Sequence, residues 1–287
     1  MEIVRAKDEL RGALSAPRTS QLEIGLVPTM GSLHAGHLSL IEAAKSRADV
    51  VVVSLFVNPT QFGDPADLES YPRSEADDAR LAEGAGADLF FAPSVEEVYP
   101  AGSATTVRVA GLTDVLCGAP ESRGADHFLG VTTVVAKLLN IVEPRVAYFG
   151  QKDAQQVAVI RRMVNDLDFP VRIEVLPTVR EPDGLAMSSR NAQLSAGDRE
   201  RASALHAALR AVDAAAPTAM NVEGALNAGR AVLQDAGIEP EYFEARDVVG
   251  LEPVQSFNGR AVLIAIAALF GSTRLIDNVV IEPTRTS

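Results

Sequence analysis

The chain has 287 residues and a net charge of −12, from 38 acidic and 26 basic side chains, and 47% of it is hydrophobic. That length gives one large or two smaller domains with a full core. The acidity excludes a nonspecific nucleic-acid or anionic-membrane binder, which needs a basic surface. Cys117 is the single cysteine, so an internal disulfide is excluded and a reducing compartment is expected.

The first residues alternate in charge (Glu2, Arg5, Lys7, Asp8, Glu9, Arg11) and lack the apolar core of a secretion signal. Ile3, Val4, Leu10 and Leu14 give residues 1–15 the pattern of a short amphipathic helix. Ile24 to Pro28 reads as a buried strand, and Leu38, Leu40, Ile41, Ala44 and Ala48 recur at helical spacing over 35–47. Between them lies Pro28-Thr-Met-Gly-Ser-Leu-His-Ala-Gly-His37, a strand-to-helix turn. His34 and His37 are three apart and share a face of the first helical turn. Gly31 and Gly36 remove side chains where something must approach the backbone. A helix N-terminus offers unpaired N–H groups and partial positive charge, which suit phosphate. The same His-x-x-His also fits a pair of satisfied surface histidines. A zinc site is disfavoured, because only four histidines and one cysteine are present and no further cluster follows.

Val50 to Val57 is a continuous β-branched run, the pattern of a parallel strand covered on both faces, and it closes a right-handed βαβ unit. It ends in Asn58-Pro-Thr-Gln61-Phe62, polar residues that fit a simple turn or a ligand site. Ser74 is placed to cap a helix reaching about Ala85, with Asp77 at the capping-box position. Asp88 to Phe91 is a third strand, Thr105 to Val109 is strand-like, and Val131 to Val142 is helical. Arg145 to Phe149 is a strand ending in Gly150-Gln-Lys-Asp153, and the helix after it carries Val157, Ile160, Met163 and Val164 on its apolar face. Lys152 suits a phosphate as a point charge, or is a solvated loop lysine. Val171 to Leu176 is another strand. Thr178 to Asn191 then carries Arg180, Asp183-Gly184 and Met187-Ser-Ser-Arg-Asn191, where two hydroxyls and a guanidinium make a flexible anion-binding loop or a polar interdomain loop. From Leu194 the chain turns alanine-rich. One helix is expected over 195–215 and another from Asn221 to about Gly237, followed by strands at 242–248, 262–270 and 278–281. The longest apolar run, Ala261 to Phe270, is too short to span a bilayer.

The expected architecture is therefore α/β: a Rossmann-like parallel sheet with helices on both faces over 1–177, and a smaller α+β domain over 178–287 that covers the active site. His34/His37, Asn58/Gln61, Lys152/Asp153 and Ser188/Ser189/Arg190 all follow predicted strands, whose carboxyl ends converge in a parallel sheet.

His34-Ala-Gly-His37 resembles the HIGH motif and Met187-Ser-Ser-Arg-Asn191 a KMSKS loop, in the order found in the HIGH-type nucleotidyltransferase superfamily. More narrowly, the chain resembles the pantoate–β-alanine ligase family. The residues that carry this are Pro28–His37, Phe56–Phe62, Tyr71-Pro-Arg73, His127-Phe128, Gly150–Asp153 with Gln155-Gln156, Arg180–Asn191 and Thr273–Asn278, spread over nearly the whole chain. Two departures stand out. Gln151 replaces the family's usual Glu, and Arg123-Gly-Ala-Asp-His-Phe128 is one residue longer than the usual pattern, with Asp126 adding a negative charge.

The resemblance implies a cytoplasmic, homodimeric, C–N-bond-forming ligase of pantothenate (vitamin B5) and coenzyme A biosynthesis. It condenses (R)-pantoate with β-alanine and releases AMP and pyrophosphate through a pantoyl adenylate. ATP with Mg2+ is the co-substrate, and no tightly bound organic cofactor, nucleic acid or membrane is involved. The implied catalytic residues are His34, His37, Lys152 and Arg190. The implied ATP-binding set is Met30, Gly31, Ser32, Leu33, His34, Ala35, Gly36, His37, Gly150, Gln151, Lys152, Asp153, Val179, Met187, Ser188, Ser189 and Arg190. Gln61 and Gln156 are implied for pantoate and β-alanine. The metal ligands are left open, with Asp77 one candidate. The alternative is another HIGH-type adenylyl- or cytidylyltransferase, which would keep the histidines without needing Gln61 and Gln156. An aminoacyl-tRNA synthetase would need a basic surface, and a non-catalytic binding protein would not need the full set of phosphate-facing groups.

Overall fold

The computed structural model describes residues 1–120, 122–257 and 259–283. In chain order the elements are β1 (Glu2–Val4), α1 (Lys7–Thr19), β2 (Ile24–Thr29), α2 (Ala35–Lys45), β3 (Val50–Leu55), α3 (Pro65–Ser70), α4 (Glu75–Gly84), β4 (Leu89–Phe91), α5 (Val95–Val98), α6 (Ala125–Val142), β5 (Val146–Gly150), α7 (Ala154–Asp166), β6 (Arg172–Leu176), α8 (Ala196–Ala202), α9 (Ala204–Ala215), α10 (Val222–Asp235), β7 (Pro240–Asp247), β8 (Val262–Phe270) and β9 (Thr273–Ile281). The chain divides into two units. The larger comprises Met1–Gly150 with Val159–Pro177, and the smaller comprises Gln151–Ala158 with the chain from Thr178 onward. A cut at 177 therefore misses one exchange: residues 151–158, which include Lys152 and the first turn of α7, belong to the smaller unit.

In the larger unit, six parallel strands run in the order β1-β4-β3-β2-β5-β6. Alternate residues Val27, Val51, Val53, Phe90, Val146 and Tyr148 form one cluster with Leu40, Ile41 and Ala44 of α2 and Ala79 and Ala82 of α4. Their neighbours Leu26, Val52 and Ala147 are also buried, and α6 lies against β2. This is the doubly covered sheet that the valine run predicts. The strand order reverses at β2. Its pairing with β3 extends to Thr29↔Leu55, but its pairing with β5 covers only Gly25 and Leu26. Pro28, lacking an N–H, stands where that second ladder has ended. The sheet thus opens at a topological switch point at its carboxyl end, where such folds bind ligands.

The smaller unit has an antiparallel sheet β7-β8-β9. Val262, Ile264, Ile266 and Ala268 on one face of β8 pack with Leu205, Leu209 and Val212 of α9 and Leu226 and Leu233 of α10.

Three local expectations are corrected. Residues 1–15 are not one helix: Ile3 and Val4 form a short edge strand paired with β4, and the helix starts at Lys7 and runs through Pro17. Residues 105–109 are not a strand, because Thr133 Oγ1 accepts from Val107 N–H and Thr132 Oγ1 donates to Val107 O, so α6 side chains satisfy that backbone instead of a ladder. The helix over 195–215 breaks at Ser203 into α8 and α9.

Candidate active site

The turn at 30–34 is held from beneath. Thr29 Oγ1 donates to Ser54 O at 2.8 Å and accepts from Gly31 N–H at 3.3 Å. Gly31 (φ +87°) and Ser32 (φ +53°) are both left-handed. A Cβ on Gly31 would meet Leu55 Cδ1 at 2.5 Å and Asp78 Oδ2 at 2.9 Å, so only glycine fits. Asp78, 2% exposed, accepts from Ser32 N–H at 2.9 Å and Leu33 N–H at 2.7 Å, one carboxylate oxygen to each amide. Sequence reasoning missed this residue. It singled out the neighbouring Asp77, which lies exposed and accepts from Ser74 and Arg80. The available signal was an aspartate on the same helical face as Ala82, where α4 is buried.

His34 is the N-cap of α2, and the two histidines cap the helix reciprocally. His34 Nδ1 accepts from Gly36 N–H at 3.1 Å, and His37 Nδ1 accepts from His34 N–H at 3.3 Å, with ring centroids 4.2 Å apart. A backbone N–H can only donate, so each Nδ1 must accept. In the neutral ring the proton is then on Nε2. Capping thus fixes the tautomer in which both Nε2–H groups are donors. A Cβ on Gly36 would meet the His34 ring at 2.8 Å, so this glycine serves the cap. Ala35 opens the helix.

Gln61 closes a single helical turn, Pro59–Gln61, packed so tightly on α6 that a Cβ on Gly130 would meet Thr60 O at 2.5 Å. Its amide orientation follows from a relay. Tyr99 OH donates to Asn58 Oδ1 at 3.0 Å, and Thr60 Oγ1 donates to the same atom at 2.9 Å. Asn58 Nδ2 then donates to Gln61 Oε1 at 3.1 Å and to Gly130 O at 3.0 Å. Burial pushes the Tyr99 phenol up, keeping it a donor. With Oε1 occupied, Gln61 presents Nε2, which donates to a weak acceptor, Met30 Sδ, at 2.9 Å. His127 Nδ1 lies 2.7 Å from Gln61 O. The longer loop before it places Gly124 in a left-handed conformation and leaves Asp126 exposed. No residue pattern pointed to Tyr99.

In the smaller unit, Gln151–Asp153 form a short helical turn directly after Gly150, the last residue of β5, and Gln156 is half-buried one turn further on. Lys152 Nζ lies 4.0 Å from Asp153 Oδ1, a loose pair. Asn278 Nδ2 donates to the carbonyls of Gln151 and Lys152, and Gln151 Nε2 donates to Asn278 Oδ1. The departure at 151 thus places an amide against an amide. The segment 178–191 is a narrow loop. Arg180 bridges Ala186 antiparallel, Met187 N–H donates to Val179 O at 3.0 Å, and Asn191 Nδ2 donates to Ala186 O at 3.1 Å. Ser188 caps the turn Ser189–Gln193, its Oγ accepting from Arg190 N–H. β9 packs against both this turn and 151–153, so Lys152 and Ser188-Ser189-Arg190 share one supporting strand. The larger unit brings Met30 and Gln61 into contact.

A parallel sheet opened at its switch point, with a glycine turn and a helix start at that same end, defines an α/β protein with a ligand crevice at the carboxyl ends of its strands. A family model described as pantoate–β-alanine ligase matches residues 2–280. The pantothenate synthetase of Moorella thermoacetica is 51% identical over 286 residues, covering 98% of this chain and 99% of that protein. A crystal structure of pantothenate synthetase from Thermus thermophilus superposes with a TM-score of 0.91 at 45% identity, covering 99% of this chain and all of that one. The Francisella tularensis ligase, solved with β,γ-ATP and β-alanine, superposes at 0.80 and 35% identity with the same coverage. The chain belongs to the pantoate–β-alanine ligase family. It is a ligase, and another HIGH-type nucleotidyltransferase is not favoured.

Proposed function

We propose that the chain activates the pantoate carboxylate with ATP, giving pantoyl adenylate and pyrophosphate, and that the β-alanine amine then attacks the acyl carbon and releases AMP. The observation that carries this reading is the histidine pair at the head of α2, fixed with both Nε2–H groups as donors beside helix N–H groups. Donors preorganised for phosphate oxygens are what in-line attack at phosphorus requires, and no protein nucleophile is needed.

In this reading His34 and His37 hold the triphosphate with Lys152, Ser188, Ser189 and Arg190. Lys152 and Arg190 supply charge. Met30 to Leu33, Ala35, Gly36, Gln151, Val179 and Met187 line the nucleotide, and the backbone around Gly150 and Asp153 takes the ribose. Gln61 and Gln156 hold pantoate. The relay through Asn58 makes Gln61 a neutral donor, which orients a carboxylate without the tight ion pair that would blunt its attack.

Magnesium enters with the ATP phosphates. Among the described residues, no three or more His, Cys, Asp or Glu side chains are grouped as a metal site. The protein works as a cytoplasmic homodimer, a reading that rests on family membership. No helix of the described residues is long and apolar enough to cross a membrane. Sedimentation velocity tests the dimer, and a monomer mass overturns it.

The deciding experiment is pyrophosphate release from ATP with pantoate present and absent. Release is expected only with pantoate, and pantoate-independent release, or stimulation only by another acceptor, overturns the assignment.

A further inference from the structure

Two consecutive residues of β9 reach the two segments of the smaller unit that carry Lys152 and Arg190. Asp277, 3% exposed, accepts both arms of Arg180, at 2.6 and 3.0 Å, and so pins the base of the loop leading to Ser188-Ser189-Arg190. Asn278, also buried, donates through Nδ2 to Gln151 O at 3.0 Å and to Lys152 O at 2.9 Å, while its Oδ1 accepts from Gln151 Nε2 at 3.0 Å. Backbone carbonyls can only accept, so the orientation of the Asn278 amide is forced: its NH2 faces the turn and its oxygen faces Gln151. The Lys152 carbonyl is thus held by a donor 126 residues away in sequence.

We infer that Asn278 is a positioning residue for Lys152, acting through the donor polarity of its amide. Its two bonds fix the peptide planes on either side of the Lys152 Cα and so fix where the lysine side chain starts. This rests on the reading that Lys152 holds phosphate during adenylation. A preorganised charge keeps its value only while its root stays in place, and a misplacement of about 1 Å costs on the order of 100-fold in rate. Gln151 completes the device. Its Nε2–H occupies the Asn278 oxygen, so the amide cannot turn that oxygen toward the two carbonyls without losing three bonds.

The test compares Asn278→Asp and Asn278→Ala with Lys152→Ala and the double variant Lys152→Ala/Asn278→Asp. Two rates are measured for each: pantoate-dependent pyrophosphate release in a single turnover, and amide formation from supplied pantoyl adenylate. Aspartate has the shape of asparagine but turns an acceptor toward two acceptors. Asn278→Asp is expected to slow adenylation about 10- to 100-fold, at least as much as Asn278→Ala, and to leave amide formation within about twofold. The double variant is expected to be no slower than Lys152→Ala alone, since the two act as one unit. Near-normal adenylation in Asn278→Asp beside a slow Asn278→Ala means the site needs only bulk and overturns the inference. An equal fall of both half-reactions, or multiplying losses in the double variant, also overturns it. Normal adenylation in Lys152→Ala removes the underlying reading, and Asn278 falls with it for that separate reason. Should Asn278→Asp fail to fold, Asn278→Ala decides alone. About 10-fold slower adenylation with amide formation within about twofold is then expected, and an unaltered adenylation rate overturns the inference.

Discussion

The turn at 30–37 and the loop at 178–191 both present groups suited to phosphate, and they are built in opposite ways. The first is closed largely by bonds of short span, His34 to Gly36, His34 to His37 and Gly31 to Thr29, with Asp78 gripping it from further along the chain. The second is rooted on Asp277, 97 residues further along the chain. A locally closed motif keeps its shape when distant strands loosen, whereas a remotely anchored one is only as firm as the sheet that carries its anchor.

The contrast is broken most forcefully at the remote anchor. Arg180→Ala strands a buried carboxylate, and removing one partner of such a pair is expected to cost about 3–5 kcal/mol of the smaller unit's stability in urea unfolding. A loss under about 1 kcal/mol would show the loop does not depend on its root. Lys152→Ala should raise the adenylation barrier by about 3 kcal/mol in single-turnover pyrophosphate release with the fold intact. Asp78→Ala leaves the Ser32 and Leu33 amides unmatched, and about 2 kcal/mol is expected, read as slower adenylation with the smaller unit's unfolding unchanged. If Asp78→Ala adenylates normally, the turn is even more self-contained than its bonds suggest.

The smallest effect sharpens the comparison within the loop. Asp183 has an exposed anchor, Arg199, whose hydrogen bond holds the carboxyl below its ordinary range. A depressed folded pKa gives stability that is present above the unfolded value, near about 4, and is lost as pH falls through the folded one. With both partners more than a third exposed or close to it, the pair is worth under about 1 kcal/mol. Asp183→Asn should therefore flatten a small acid-side slope in urea midpoints and leave the neutral plateau nearly unchanged.

The same contrast decides what was legible in the sequence. The valine run, the helical spacing after His37 and the strand at 262–270 are short-range patterns, and they placed the sheet, α2 and β8. The histidine cap was visible as a spacing, but its tautomer was not, because that depends on which backbone N–H each Nδ1 meets. Residues 105–109 failed because two threonine hydroxyls of α6 compete for a backbone that looks like a strand. Tyr99 and the exchange of 151–158 between units had no local sign, since each acts through a partner dozens of residues away, and Asp78 showed only as an aspartate on the buried face of α4, its partners 45 and 46 residues off. Family resemblance quoted Asn278, but only the hydrogen bonds show what it touches.

The 97-residue gap between Arg180 and Asp277, and the 127 residues between Gln151 and Asn278, also set an order of events during synthesis. The parallel sheet has all its strands once Leu176 has left the ribosome. At roughly 5–20 residues per second, the anchors for residues 151 and 180 follow only about 5–20 s later. Through that interval every partner in the histidine turn's cap has been made, while the partners that hold residues 151, 152 and 180 have not. In the proposed reading β9 is therefore the strand that arms the protein, and a chain stalled before residue 277 is expected to adenylate poorly.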